Sequence, residues 1–261
     1  MKKGKLFFGI AIIILLIVLQ PNNFNRIKGF LLKNSISDQL GITKVIKNNS
    51  LVTDNADSTA LDSLPFQNKR QLELSELDTL GRATGAHIQL KETDEPTEKR
   101  AAKLNYNPSG WHNYKFAYDG DKKGWLMSRG HLIGYQFSGL NDEPKNLITE
   151  TTWMNAGNYV GMNAGNVEAM LYYENRLDSW LATHPNYYLD YQVRPIYKDS
   201  ELVARQVVLA YVGIDSSGNK LEIKLGGGKE QINQNGLAVV YLENSAPNAM
   251  IDYATGIAVQ K

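Results

Sequence analysis

The chain has 261 residues, 43% hydrophobic and 21% charged, so it is long enough for one sizeable domain and too apolar to be disordered throughout. Its formal net charge is only +1, which excludes binding of a polyanion through a strong overall field and leaves local patches of Arg and Lys. The absence of cysteine excludes disulfides, cysteine-based zinc sites and cysteine nucleophiles.

A basic and then apolar segment opens the sequence. Lys2, Lys3 and Lys5 precede an apolar run at residues 6–19, an order that is typical of an export signal. No small-residue cleavage site follows the run, which favours an uncleaved signal anchor over a cleaved signal peptide for residues 1–22. The positive start would keep this end in the cytoplasm and tether the rest to the outer face of the membrane.

Residues 23–60 form the next segment. They are rich in Asn, Ser, Asp and Lys and show no core-forming pattern, which predicts a polar stalk or linker. From about Leu61 onward the composition becomes that of a globular domain, so we expect the folded domain to span residues 61–261.

Predicted strands dominate this domain, with one long helix among them. A short strand at residues 125–127 runs into Ser128-Arg129-Gly130-His131, and a β-rich stretch follows at residues 146–152. A helix is predicted at residues 166–182, with Asn166 as its N-cap. Later strands are predicted at residues 188–197, 202–214, 221–225 and 236–242 and near Ile257. This order predicts an α+β fold with a mixed, mostly antiparallel sheet core.

One carboxylate falls on the apolar face of the predicted helix. The apolar positions recur three and four residues apart, and Glu174 completes their stripe; the others are Val167, Met170, Leu171, Leu177 and Leu181. A carboxylate on a core-facing stripe costs several kcal/mol unless it is paired or bound to a metal. A functional Glu174 and a Glu174 that reaches solvent from the stripe's edge both remain open.

Three polar residues in this region have the chemistry of a hydrolytic site. His131 follows Arg129-Gly130, where glycine allows close approach of a ligand, Arg129 can bind phosphate oxygens and a neutral imidazole can take a proton from water. Asn155 offers an amide oxygen that suits a hydrated Mg²⁺. The pentapeptide around Asn155 recurs around Asn163, so Asn163 remains an alternative at this point.

These segments resemble the DNA/RNA non-specific endonuclease family, whose ββα-metal (His-Me finger) site has a recognisable order of motifs. The family pattern is Asp-Arg-Gly-His, an Asn-Leu strand, an Asn at the start of a helix and a Glu on a helix. The matching residues are Arg129-Gly130-His131, Asn146-Leu147, Trp153-Met154-Asn155 and Tyr172-Tyr173-Glu174. The resemblance is closest to streptococcal secreted DNases and DNA-entry nucleases. It extends from Leu77 to the C-terminus.

The resemblance implies a sequence-nonspecific endonuclease that hydrolyses phosphodiester bonds of DNA, with RNA as a second substrate class. It implies Mg²⁺ as cofactor, with Mn²⁺ as a substitute, and an extracellular location in a Gram-positive bacterium. His131 would be the general base and Asn155, selected over Asn163, the direct metal ligand. Glu174 would hold metal-bound water, Arg129 would contact phosphate, and Asn146 matches a catalytically important Asn. We expect a monomer.

The sequence departs from the family pattern at two places. Ser128 stands where the family usually has Asp; losing such a supporting group can weaken metal binding or activity about 10–100-fold. Some members carry a phosphate-binding Arg one turn after the Glu, where this chain has Asp178, so Arg176 is the nearest candidate for that role. Two alternatives therefore remain: a catalytically weakened DNA-binding or uptake protein on the same fold, and a surface adhesion domain with a structural His131.

Overall fold

A central antiparallel sheet organises the domain. The computed structural model describes residues 61–261, and the predicted signal segment and stalk lie outside these residues. The strands are β1 Gln71–Leu74, β2 Ala86–Leu90, β3 Lys115–Asp119, β4 Lys122–Trp125, β5 Met127–His131, β6 Leu147–Thr151, β7 Tyr188–Ile196, β8 Gln206–Ile214, β9 Lys220–Leu221, β10 Gln231–Ile232, β11 Ala238–Glu243, β12 Ala249–Ile251 and β13 Ala258–Gln260. The helices are α1 Tyr135–Ser138, α2 Thr152–Ala156 and α3 Met170–Thr183, with short 3-10 turns at Glu92–Asp94 and Pro144–Asn146.

The strand order of the main sheet is β1-β2-β7-β8-β11-β10, with β9 paired to β8. Every pairing in this sheet is antiparallel. Three smaller antiparallel pairs, β3-β4, β5-β6 and β12-β13, complete the strands of the described residues. The predicted α+β class with a mostly antiparallel sheet is confirmed.

Both faces of the central strands are buried, which explains their near-continuous apolar sequences. Because side chains alternate along a strand, Leu189 and Tyr191 of β7 face the core shared with α3, and Tyr188 faces a second, smaller core. The first core therefore fixes α3 against the sheet. Within residues 61–261 no helix is long and apolar enough to span a membrane.

The β5-β6 pair and the helices after it form the ββα unit that the sequence predicts. His131 pairs with Leu147 and Arg129 pairs with Thr149, which places Arg129 and His131 on one face of the pair and Gly130 on the other. The hydroxyl of Thr151 accepts a hydrogen bond of 3.0 Å from the Met154 amide and caps α2 directly after β6. The short α2 carries Asn155.

The predicted start of the long helix is wrong by four residues. Helix α3 begins at Met170, and Asn166 caps a preceding turn instead: its Oδ1 accepts from the Glu168 amide (3.0 Å) and its Nδ2 donates to the Gly157 carbonyl (3.1 Å). An Asn side chain that bonds nearby backbone competes with helix formation, and the chain at residues 166–169 takes that alternative. The predicted strands at residues 202–214 and 221–225 are likewise shorter, beginning at Gln206 and ending at Leu221.

Candidate active site

A cavity of about 390 Å³ lies between the ββα unit and α3. Three of the predicted site residues line it together: His131 from the end of β5, Asn155 from α2 and Glu174 from α3. These three residues come from different elements, so the packing of α3 against the β5-β6 pair brings them to one place.

The imidazole of His131 is buried and held in one orientation. Its Nε2 lies 2.9 Å from the backbone carbonyl oxygen of Asn141. A carbonyl can only accept, so Nε2 carries the proton and the neutral ring offers Nδ1 as its proton acceptor. Burial lowers the pKa of His131 and the positive charge of Arg100 adds to this, against the opposing effect of the carbonyls of Asn141 and Leu140. The ring is therefore kept neutral, as a base must be.

The carboxylate of Glu174 is buried on the core-facing stripe of α3, as its spacing predicts. Its Oε1 accepts from the Gly134 amide at 2.9 Å and its Oε2 accepts from Gln136 Nε2 at 3.3 Å. Burial raises the pKa of Glu174 to about 7, against these two hydrogen bonds. No Lys or Arg of the described residues forms an ion pair with it, so a negative Glu174 is costly unless a cation lies nearby.

The two copies of the Met-Asn-Ala-Gly-Asn pentapeptide differ in position. Asn155 lines the cavity, and within residues 61–261 its side-chain amide makes no hydrogen bond. Asn163 lies outside the cavity lining, and its Oδ1 accepts a 3.0 Å hydrogen bond from the Gly165 amide. Of these two residues, Asn155 therefore has the free amide beside His131 and Glu174.

Asn146 supports the cavity without lining it. The side chain is fully buried, and it clamps the backbone of Ile133: Oδ1 accepts from the Ile133 amide and Nδ2 donates to the Ile133 carbonyl, both at 2.9 Å. Its own carbonyl accepts from the Leu132 amide at 2.9 Å. Asn146 thus fixes the chain directly after His131 and has no polar atom left for substrate. Its position is that of a positioning residue, and the predicted catalytic role stays a prediction.

Arg129 and Ser128 lie in a neighbouring groove. The guanidinium of Arg129 donates to Asn107 Oδ1 at 2.7 and 3.1 Å and stacks over the Trp111 ring, 4.3 Å from its centroid. The hydroxyl of Ser128 lies 3.2 Å from that of Thr152. Both residues line this groove. Asn155 lines both the groove and the cavity.

Arg176, predicted to bind substrate, is engaged within the chain, and its role towards substrate stays a prediction. Its Nη1 donates to the carbonyls of Ala164 and Tyr172, each at 3.0 Å, and its guanidinium stacks on the Tyr172 ring. Two residues along a helix correspond to a rotation of about 200°, so Arg176 points away from the side on which Glu174 lies. It joins α3 to the preceding loop.

Gly130 has a different role from the predicted one. A Cβ at this position would overlap the carboxylate of Glu150, so the glycine accommodates a buried side chain of β6 and not a ligand. Both carboxylate oxygens of Glu150 are buried without a hydrogen-bond partner, and burial raises its pKa well above the ordinary range, with the nearby Glu174 adding to the effect. Sequence reasoning missed Glu150; its only signal was a charged residue within a β-rich stretch.

Sequence reasoning also missed the residues that surround Glu174 and His131. Arg100 lines both the cavity and the groove, and its charge acts on both groups. A Cβ on Gly134 would lie 2.7 Å from a Glu174 oxygen, so glycine is needed for the backbone to donate to that carboxylate. Arg100 lies in a polar loop without a motif, so no signal in the sequence pointed to it. Gly134 lies three residues after His131, and this closeness in sequence could have identified it.

Comparison with known proteins supports this assembly of motifs. Residues 66–213 match the DNA/RNA non-specific endonuclease family. A solved structure described as an extracellular nuclease is 50% identical, with a TM-score of 0.64, and the match covers 76% of this chain and 98% of that chain. A search of curated proteins returned no significant match.

Two further solved structures share the fold at lower identity. NucA from Streptococcus agalactiae with magnesium ion bound is 20% identical, with a TM-score of 0.56, over 78% of this chain and 84% of that chain. Sda1 nuclease with bound zinc ion is 23% identical, with a TM-score of 0.52, over 73% and 82%. The family match spans more than half of the sequence and the 50% identical structure is covered almost entirely. The chain therefore belongs to the DNA/RNA non-specific endonuclease family and is an endonuclease.

Proposed function

We propose that this protein is an extracellular, Mg²⁺-dependent nuclease that cleaves DNA without sequence preference, with RNA as a second substrate class. The observation that carries the proposal is the meeting of a neutral imidazole, a free amide and a buried carboxylate on one cavity, from His131, Asn155 and Glu174. The 50% identical relative described as an extracellular nuclease supports the location.

The chemistry of the cavity fits a hydrated divalent cation. The described residues contain no cluster of three His, Asp or Glu, so the protein can supply only a few ligands, which suits Mg²⁺ because it keeps most of its waters. Asn155 would be the direct ligand, and Glu174, which forms no ion pair with a Lys or Arg of residues 61–261, would hold the cation's waters. A bound cation would stabilise the charge that develops on the phosphate and on the leaving oxygen.

The other residues have separate tasks in the proposed reaction. Nδ1 of His131 takes a proton from the attacking water while its Nε2 stays bonded to the Asn141 carbonyl. Arg129 binds phosphate oxygens, and Ser128 supports the site through Thr152. Contacts to phosphate and sugar carry no base information, which accounts for cleavage without sequence preference.

A plasmid-nicking assay tests the proposed function. We expect relaxation and then degradation of supercoiled plasmid with millimolar Mg²⁺ near neutral pH, slower cleavage with Mn²⁺ in place of Mg²⁺ and no cleavage with EDTA. Structured RNA in a parallel assay tests the second substrate class. Intact plasmid under the Mg²⁺ condition would favour the catalytically weakened DNA-binding protein and overturn the enzyme proposal for this site.

Replacement of His131 by Ala tests the proposed base. We expect plasmid cleavage to fall at least about 100-fold, within the usual contribution of general base catalysis, while DNA binding persists. Circular dichroism and a DNA-binding titration check that the fold and the groove survive. Retention of wild-type cleavage by His131→Ala contradicts the assignment.

The duplicated pentapeptide offers a matched pair of variants for the metal ligand. Asn155→Ala removes the free amide from the cavity, and we expect it to lose most Mg²⁺-dependent cleavage. Asn163→Ala removes the same side chain from an exposed loop and should retain cleavage. Equal losses in the two variants would exclude Asn155 as the specific ligand.

The N-terminal part of the proposal concerns residues outside the described range. We propose that residues 1–22 form a signal anchor, that residues 23–60 form a stalk and that residues 61–261 form the nuclease domain, monomeric and tethered outside a Gram-positive cell. Protease treatment of intact cells, followed by immunoblotting, separates the two possible fates of the segment. An anchored protein is shaved from the membrane fraction, and a cleaved one is found in the medium.

A further inference from the structure

A groove of about 1050 Å³ opens beside the catalytic cavity and shares Arg100 and Asn155 with it. Its walls include residues of the β3-β4 hairpin, the segment at residues 100–105, and Ser128 and Arg129 of β5. The groove is much larger than the cavity, so the two together extend over more than one nucleotide next to the reacting phosphate.

The groove concentrates positive charge in a chain that is almost neutral overall. Five cationic residues line it, and the lining contains no Asp or Glu; the five are Arg100, Lys103, Lys115, Lys123 and Arg129. Within the described part of the chain, none of these five is in an ion pair with a carboxylate. A strip of unneutralised charge of this kind is complementary to a phosphodiester backbone.

Aromatic rings are interleaved with these charges. Trp125, at the end of β4, is 52% exposed, and Lys115 lies over its ring at 4.9 Å from the centroid. Trp111 and Tyr159 also line the groove. An exposed indole beside a lysine offers a flat surface for a base and a charge for the adjacent phosphate, the combination used to bind single strands.

The hairpin wall is fixed against the loop that follows Asn155. Tyr118 of β3 stacks on Tyr159 with centroids 5.0 Å apart. A Cβ on Gly124 of β4 would lie 2.5 Å from the Tyr159 carbonyl oxygen, so the strand packs directly on that backbone. The backbone that carries Trp125 is thus packed against the loop that follows Asn155.

We propose that this groove binds one unpaired strand of the substrate, with its lysines and arginines on phosphates and Trp125 stacked on a base. A base inside a duplex is already stacked on its neighbours, so the exposed indole discriminates in favour of single-stranded nucleic acid. The inference rests on the proposed function for the position of the scissile bond, but the binding of the strand does not depend on cleavage.

Binding to a fluorescent twelve-nucleotide oligothymidylate in EDTA measures the groove without catalysis. With the full-length His131→Ala chain in detergent, we expect tighter binding of this strand than of a duplex of equal length. Trp125→Ala should weaken single-strand binding about tenfold, and Trp125→Phe should restore most of it because a ring is retained. Equal effects of Trp125→Ala on the strand and the duplex, or no effect on either, overturn the proposal.

Neighbouring lysines of the hairpin provide the control for charge. Lys123 lines the groove, whereas Lys122 is outside the lining and pairs with Asp119. Lys123→Ala should reduce the slope of log Kd against log salt by about 0.7, the value for one phosphate contact on a single strand. Lys122→Ala should leave that slope unchanged. Equal slopes for the two variants would place the strand elsewhere.

Cleavage kinetics separate failure of the groove from failure of the proposed function. Two substrates are compared in the chain that retains His131: the oligonucleotide, and thymidine 5′-p-nitrophenyl phosphate, which has a single nucleoside. We expect Trp125→Ala to raise KM for the oligonucleotide about ten times more than KM for the small substrate. If cleavage occurs without this difference in KM, the nuclease proposal stands and the proposal that the groove binds a strand is rejected. Strand binding that depends on Trp125 without any cleavage keeps the groove and rejects the nuclease proposal.

Discussion

At the scale of single residues, the proposed role of His131 as the base predicts how activity depends on pH. Burial lowers the pKa of His131, so the ring stays neutral at a pH where an exposed imidazole is already protonated. We expect cleavage to be lost as pH falls through this lowered pKa. Initial rates of plasmid nicking from pH 5 to pH 8 at fixed Mg²⁺ measure the acid limb. Glu174, with a pKa of about 7, also titrates in this range, so a midpoint above the ordinary imidazole value that persists in Glu174→Gln would contradict the role given to this ring.

Glu150 makes a second prediction at this scale, for stability. Its pKa is raised in the folded protein by burial, so the folded state binds more protons than the unfolded state above the ordinary carboxyl pKa. The contribution of Glu150 to the free energy of unfolding is present at low pH and is lost as pH rises towards the raised pKa. The loss is at most about 1.4 kcal/mol per pH unit. Glu150→Gln removes this group at similar volume. Its free energy of unfolding should fall less between pH 5 and pH 8.

Urea unfolding at several pH values measures that difference between Glu150→Gln and the wild type. Glu98→Gln, at an exposed position, is the matched control and should follow the wild type. Glu174 also has a raised pKa and stays in all three proteins; because its charge raises the pKa of Glu150, the difference between the profiles measures Glu150 together with this interaction. Parallel pH profiles for Glu150→Gln and the wild type would show that Glu150 is not the buried acid described above.

At the scale of elements, the closeness of β5 and β6 depends on the absence of a side chain at Gly130. Gly130→Ala forces its methyl group into the Glu150 carboxylate, and we expect a loss of about 1–3 kcal/mol in the free energy of unfolding. In a double variant with Glu150→Ala the obstacle is gone, so the combined loss should be smaller than the sum of the single losses. Thermal melts of the four proteins measure this coupling, and strictly additive losses would exclude the packing conflict.

At the scale of the whole molecule, the first described residues belong to the folded domain. Leu61 is buried in the smaller core, its carbonyl accepts from Asn233 and Asn235, and the Leu64 amide donates to Asp190 at 3.0 Å. Deletion of residues 1–60 should therefore leave the melting temperature nearly unchanged, whereas deletion of residues 1–66 should lower it by several degrees. A large loss in the shorter deletion would place the domain boundary earlier.

The sequence by itself determined the family, the fold class and the chemical types at the site. The order of residues along the chain was sufficient for this, because the motifs that contain His131, Asn155 and Glu174 are recognised from the sequence. The spacing of apolar residues also places Glu174 on the buried face of its helix. The same periodicity could not predict where the helix begins. The turn that Asn166 closes by its hydrogen bonds is compatible with the same spacing of apolar residues, so the pattern does not distinguish this turn from a first helical turn.

Only the tertiary structure decided what each of these residues faces. Asn155 lines the cavity and Asn163 does not, Arg176 is bonded to the loop that precedes its helix, and Gly130 has a buried carboxylate as its neighbour. The groove likewise joins Arg100 and Trp125 from distant segments. A periodic pattern states which side of an element is buried, but the partner on that side is set by contacts between residues far apart in the chain, and those contacts have no local signature.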